Sequence, residues 1–212
     1  MAQHHVYNNK EPIRLFKSNF LESFTHISPI VVLAVWLPIS LFLVIWGLVQ
    51  RPSQVSFLFI LLAFITGLFS WTVLEYMLHR FLFHATPHNP WAERMVFLLH
   101  GIHHAQPMVK TRLVMPVLVS IPFAIPFYLL FYVIFSLLLG ISWWLNPFFG
   151  GILLGYLMYD MTHYALHHIK LRWSYFNTLH RTHLHHHTGI PVRSFGVTSL
   201  LWDIVFGTKA AS

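Results

Sequence analysis

The sequence predicts an all-α integral membrane protein, with about four transmembrane helices and a cytoplasmic helical cap that holds a dinuclear histidine-rich metal site. Three observations carry that expectation. Hydrophobic residues make up 56% of the 212 residues and charged ones only 9%, against about 25% charged in an ordinary soluble domain. The apolar residues fall in runs long enough to span a bilayer. The 17 histidines gather between and after those runs.

The apolar runs set the order of elements. Residues 1–28 are polar and mixed, without the layout of a secretory leader. The predicted spans are about 29–49, 55–74, 113–141 and 147–162, within one domain covering 1–212. A helix needs about 20 residues to cross a hydrocarbon core of about 30 Å. Gln50–Gln54 is a polar turn that makes the first two spans a hairpin. Pro116, Pro122 and Pro126 in the third run are tolerated in membrane helices. Ser142–Pro147, with Trp143, Trp144 and Asn146, is read as an interfacial turn. The cap is assigned to 79–112 and 163–208. Of the 13 Lys and Arg, only Arg51 falls in a loop on the far side. An excess of positive charge marks the cytoplasmic face, so the termini and all histidine clusters are expected there: endoplasmic reticulum in a eukaryote, cytoplasmic membrane in a bacterium.

The formal charge of +7 is scattered among apolar runs rather than clustered, which argues against a nucleic-acid partner. With no cysteine, thiolate metal sites and disulfides are excluded, and metal chemistry falls to histidine.

Four clusters stand out: His79-Arg-Phe-Leu-Phe-His84, His100-Gly-Ile-His103-His104, His163-Tyr-Ala-Leu-His167-His168 and His183-Leu-His-His186-His187, the last preceded by His180. Imidazole is a good ligand for iron, zinc, copper and nickel. On a helix, i, i+3 and i+4 share a face. His163 and His167 are therefore expected to reach one ion together, as are His100, His103 and His104, and likewise His183, His186 and His187. His79 and His84 lie about 140° apart on a helix, so they need a helix end between them or they grip two different ions. One full pattern per cluster gives ten ligands, enough for two ions with about five each. His168, His180 and His185 are surplus, and His4, His5, His26 and His88 stand outside the patterns.

Glu75 precedes His79 by four residues and Asp160 precedes His163 by three. Each is placed to accept a ligand's ring N–H, or alternatively to make an ordinary hydrogen bond at a helix end. Tyr159, Asp160 and Tyr164 are candidates to hold a lipid amide or headgroup. Zinc hydrolysis needs only three protein ligands and an open position. Ten histidines instead suit two redox-active ions, expected to be iron, that split O2 against an unactivated C–H bond. Zinc can also occupy such a site in a purified sample, since the affinity order does not protect an iron site from it. A membrane metal carrier would place its ligands within the spans, not past their ends.

The motifs HRFLFH (79–84), HGIHH (100–104), YDMTHYALHH (159–168) and HLHHH (183–187), with FGVTSLLWDIVFGT (195–208), resemble the fatty acid hydroxylase/sterol desaturase superfamily over about residues 14–208. The closing segment, together with HRFLFH, resembles its fatty acyl 2-hydroxylase branch. That resemblance implies a two-metal site of His79, His84, His100, His103, His104, His163, His167, His183, His186 and His187. The last cluster allows several registers, and counting back from Gly196 favours these three. It also implies O2-dependent hydroxylation at carbon 2 of a fatty acyl chain, in ceramide or dihydroceramide. A sterol, sphingoid base or carotenoid oxidase is the alternative within the superfamily. Branch members often carry a fused cytochrome b5 domain. These 212 residues contain no His-Pro-Gly-Gly haem motif, so the electron donor is expected to be a separate protein, such as cytochrome b5 or a ferredoxin with its reductase. A lipid anchored by its headgroup at the membrane border would present its first acyl carbons to the metals.

Overall fold

Polar backbone groups cannot be left unbonded in lipid, and apolar runs of span length meet that demand by forming helices. A computed structural model describes residues 10–188 and 192–210, and among these all regular structure is helical. The helices are α1 (Asn19–Ser23), α2 (Pro29–Val49), α3 (Phe57–Met77), α4 (Pro90–Val96), α5 (Ile102–Ala105), α6 (Val117–Tyr132), α7 (Ser142–His168), α8 (Ser174–Thr188) and α9 (Leu201–Val205). Three π-helical turns continue them: Leu78–Phe83 after α3, Phe97–Gly101 between α4 and α5, and Val133–Leu138 after α6. His4 and His5 lie outside the described residues.

The chain divides into two compact units, one of residues 30–71 and 116–158, the other of residues 1–29, 72–115 and 159–212. In the first, α2, α3 and α6 present large apolar side chains outward, Leu41, Phe42, Phe59, Leu129 and Leu130 among them. Among the described residues, three helical stretches are long and apolar enough to cross a membrane: Pro29–Val49, Phe57–Phe83 and Lys110–Leu138. The second extends nine residues past the expected boundary at 74, so His79 lies on it.

The fourth expected span differs. Ser142–Pro147 is not a turn but the first turns of α7. The reversal comes earlier, at Gly140, whose φ of 66° is the left-handed region that glycine adopts most readily. Asn146 and Gly150, Gly151 and Gly155 make α7 less apolar than the other three, and its enclosure explains why. Leu145, Phe148, Phe149, Ile152, Leu153 and Leu157 are all buried. A Cβ on Gly151 would stand 2.1 Å from the Phe64 carbonyl oxygen, and one on Gly67 would stand 1.9 Å from that of Phe148. Small residues let the α3 and α7 backbones touch, as at membrane helix interfaces. Ser40 Oγ donates to the Gly150 carbonyl at 2.7 Å, and Trp36 Nε1 to Ser120 Oγ at 3.0 Å.

The second unit is made of shorter pieces. Asn89 caps α4 by accepting from Ala92 N at 2.8 Å, with Pro90 opening the helix, the favoured arrangement at a helix start. Residues 11–22 are tied to the segment after α5. Ile13 N donates to Gln106 Oε1 at 2.9 Å, and Arg112 donates to the Ile13 carbonyl and to Glu22 Oε1, each at 2.5 Å. His26 lies against Thr111 Oγ1, at 2.7 Å, and Arg112, a hydrogen-bonding position apart from the other histidines.

Candidate metal centre

Histidines on one helix share an ion only if the helix winding turns them to one side. The structure gathers the ten expected side chains into two groups of five: His79, His84, His100, His104 and His186, and then His103, His163, His167, His183 and His187. Within each group the candidate ligand atoms all lie within 4.8 Å of one another.

The partition departs from the helical-face expectation and shows a rule. Every i, i+4 pair stays together: His100 with His104, His163 with His167, His183 with His187. The i+3 member, His103 or His186, joins the opposite group. On an α-helix i+4 lies about 40° to one side of i, and i+3 about 60° to the other. Neighbouring histidines at i+3 and i+4 thus diverge by about 100° and serve different ions. The His79–His84 pair is resolved by the π turn. The helix ends there, and His84 N–H donates to the His79 carbonyl at 3.2 Å. This i to i+5 closure, common at functional sites, brings both rings to one group, with centroids 5.2 Å apart.

In the first group the Nε2 atoms run in sequence at short separations: His79 to His100 3.0 Å, His100 to His104 2.9 Å, His104 to His186 3.2 Å and His186 to His84 2.9 Å. In the second, His167 to His183 is 2.8 Å, His183 to His187 3.1 Å and His187 to His103 3.0 Å. Among the described residues, His163 Nε2 is buried without a hydrogen-bond partner. Stacked rings of His104 and His187, centroids 4.1 Å apart, join the two groups.

These separations fit metal coordination. Two imidazoles at right angles on bonds of about 2.1 Å place their nitrogens about 3.0 Å apart. The tautomers agree. His79 Nδ1 lies 2.5 Å from the Phe195 carbonyl oxygen, and His186 Nδ1 lies 3.0 Å from that of Arg193. A carbonyl only accepts, so Nδ1 carries the proton and the Nε2 lone pair points into the group. Lone pairs converging this closely repel unless a cation lies between them. Burial pushes His84 down to about 4 and His167 to about 3. Burial, with neighbouring imidazoles adding to it, holds His100, His103, His104, His183, His186 and His187 well below the usual histidine range. All these rings are therefore neutral at physiological pH, the form that binds metal.

Of the two expected roles for Glu75, the structure shows the ordinary hydrogen bond. Glu75 does not meet the ring of His79. Its buried carboxylate accepts from Val197 N at 2.7 Å, Thr198 N at 2.8 Å and Thr198 Oγ1 at 2.5 Å. The His79 tautomer is set by a backbone carbonyl instead, because the closing segment reaches the ring first. Asp160 accepts from Met115 N at 3.3 Å. Tyr159 is buried with its ring 5.7 Å from that of His163. Tyr164 is half-buried beside His168, ring centroids 4.9 Å apart. Sequence reasoning missed Asp203. Fully buried, it accepts from Phe195 N at 2.8 Å, Gly196 N at 2.7 Å and Thr208 Oγ1 at 2.7 Å. The one signal for it was its place within the 195–208 motif.

Among the described residues the chain is all-helical, with three helices of membrane length and two sets of five histidines, the features of a membrane-type protein with a histidine-rich metal site. The profile of the fatty acid hydroxylase family matches residues 64–208, and the chain belongs to that family. It is 38% identical to the dihydroceramide fatty acyl 2-hydroxylase FAH1 of Arabidopsis thaliana, over 97% of this chain and 83% of the relative. It is 34% identical to the fatty acid 2-hydroxylase of Rattus norvegicus, over 93% of this chain but only 56% of the relative. A solved structure of full-length scs7p, with only its hydroxylase domain visible, superposes with a TM-score of 0.82 at 40% identity, covering 91% of this chain and 70% of that one.

Proposed function

We propose that this chain holds two iron ions in its ten-histidine centre and uses O2 to hydroxylate carbon 2 of a fatty acyl chain, the N-acyl chain of ceramide or dihydroceramide. The observation that carries the reading is the division of ten buried or half-buried imidazoles into two sets of five, in a chain whose relatives are 2-hydroxylases by name. Iron bound there supplies the redox chemistry that, with two electrons and two protons, puts one oxygen atom of O2 into a C–H bond and reduces the other to water.

The protein residues orient and exclude. His79, His84, His100, His104 and His186 hold one ion, and His103, His163, His167, His183 and His187 the other. The Nδ1 protons of His79 and His186 rest on the carbonyls of Phe195 and Arg193, which keeps both Nε2 atoms facing inward. Burial of His79, His100, His103, His163, His183 and His186 keeps water from the centre. Zinc competes for the same nitrogens in purified samples. The half-buried Tyr164 and the buried Tyr159 and Asp160 are the candidates to hold a lipid amide or headgroup.

α7 is the fourth span, over about 147–162, and the metal centre is cytoplasmic, since Arg51 alone carries positive charge to the far side. His79 lies near the end of the 27-residue apolar helix Phe57–Phe83, so a lipid held by its headgroup at that border offers its first acyl carbons. Electrons come from a donor such as cytochrome b5 or a ferredoxin with its reductase.

The test supplies the reconstituted enzyme with ceramide deuterated at carbon 2 and with labelled O2. Loss of one deuterium with gain of one labelled oxygen is expected. An oxygenated product that keeps all its deuterium would move the reaction elsewhere on the chain and end this reading.

A further inference from the structure

The two histidine groups are not supported alike. We propose that the closing segment, held by Ser194, Asp203 and Glu75, positions the His79 group alone, so that loosening it weakens one metal ion and spares the other. This inference rests on the two-metal reading above.

Two carbonyls of this segment, those of Arg193 and Phe195, receive the Nδ1 protons of His186 and His79, and both rings belong to the same group. Between them sits Ser194, buried and with a φ of 62°, a backbone region that residues other than glycine seldom adopt. Such a conformation persists only where the surroundings dictate it, and here they do. Every backbone N–H from Ser194 to Thr198 has an acceptor: the Thr208 carbonyl for Ser194, the two carboxylate oxygens of Asp203 for Phe195 and Gly196, and Glu75 Oε1, shared, for Val197 and Thr198. Ser194 Oγ accepts from Ala210 N at 2.9 Å. Gly196 permits the close turn, since a Cβ there would stand 2.0 Å from the Ser199 carbonyl oxygen.

Glu75 lies one helical turn before His79 on the same helix, so the residue that anchors the segment and the ring the segment orients move together. In the second group two rings lack such backing. Among the described residues, His183 Nδ1 and His187 Nδ1 are buried without a hydrogen-bond partner. Partners that orient a ligand imidazole typically change metal affinity by about 10–100-fold when removed. Ser194, Asp203 and Glu75 are positioning residues: they touch no ion, and they act through two carbonyls on His79 and His186.

The experiment uses the full chain in detergent, stripped of metal and titrated with Zn2+ against a chelator, reading ions per chain and the affinity of each. Wild type is expected to hold two. Asp203→Asn and Ser194→Val are expected to weaken one site by about 10–100-fold and leave the other unchanged. Ser194→Gly, free to take the same φ, is expected to restore near-normal affinity. Two backgrounds locate the loss. With the second group disabled by His167→Ala, Asp203→Asn should weaken the one remaining ion. With the first group disabled by His84→Ala, it should change nothing. An equal fall at both sites, or no fall at either, overturns the proposal while leaving the two-metal reading intact. A wild-type chain that binds fewer than two ions overturns both.

Discussion

The unit formed by residues 30–71 and 116–158 is held together by absent atoms, and the unit that carries the histidines by added ones. In the first, backbones meet where Gly67 and Gly151 leave no room for a Cβ. In the second, Glu75, Asp203, Arg112 and ten imidazoles are brought into neutral or hydrogen-bonded arrangements around fixed backbone groups. The difference follows from the surroundings each must satisfy. Helices with apolar outer faces gain little from burying more apolar surface in lipid, so close packing decides. Burying a polar group without a partner costs free energy, so in the second unit hydrogen bonding decides. One unit should therefore be intolerant of added volume and the other of lost partners.

The sharpest break of that comparison is Gly67→Leu. A side chain there meets the Phe148 carbonyl, which cannot withdraw without shifting α7. A destabilisation above about 4 kcal/mol is expected, read as loss of folded, monodisperse protein in detergent. Normal yield and melting temperature would show that the close approach is not needed.

Next in size are His103→Ala and His186→Ala. Each removes the single ligand that crosses to the group opposite its helical neighbours, so each is expected to lose metal and activity while the helical content stays. His26→Ala, whose ring meets Thr111 and Arg112, should keep both. Full metal retention in the two cluster variants would count against the ligand assignment.

A pH titration of the metal-free protein should show a smaller effect. His84 and His167 are pushed from the ordinary 6.5 to about 4 and about 3. The unfolded chain takes up protons below pH 6.5 that the folded chain refuses, so stability falls as pH drops from 6.5 towards those values. The denaturation midpoint should be lower at pH 5 than at pH 7.5, and an unchanged midpoint would contradict the burial of these rings. The smallest effect is expected for Ser40→Ala, which removes one hydrogen bond to the Gly150 carbonyl. About 1 kcal/mol is expected, and a loss several times larger would show that the glycine-lined unit depends on polar pairs after all.

Much of this was legible in the chain itself. The three apolar helices follow from run length, and all ten convergent histidines from spacing and motif. The enclosed helix was harder to read, since Asn146, Pro147 and three glycines look like a turn followed by a short span, when they mark a helix surrounded by others. The 11–22 strap onto Gln106 and Arg112 left no periodic trace, because its bonds join residues more than 80 positions apart.

Local sequence alone determined which histidines share a helical side, since i, i+4 pairing depends only on 3.6 residues per turn. Only the tertiary structure decided that His103 and His186 cross to the other group, because their directions differ by about 100° from those of His104 and His187, and a second group must stand there to receive them. It also decided the π turn that brings His84 beside His79, and the bonding of Glu75 and Asp203 to backbone N–H groups rather than to rings. A carboxylate bonds the donors that folding brings to it, and here those donors lie more than a hundred residues from Glu75 along the chain.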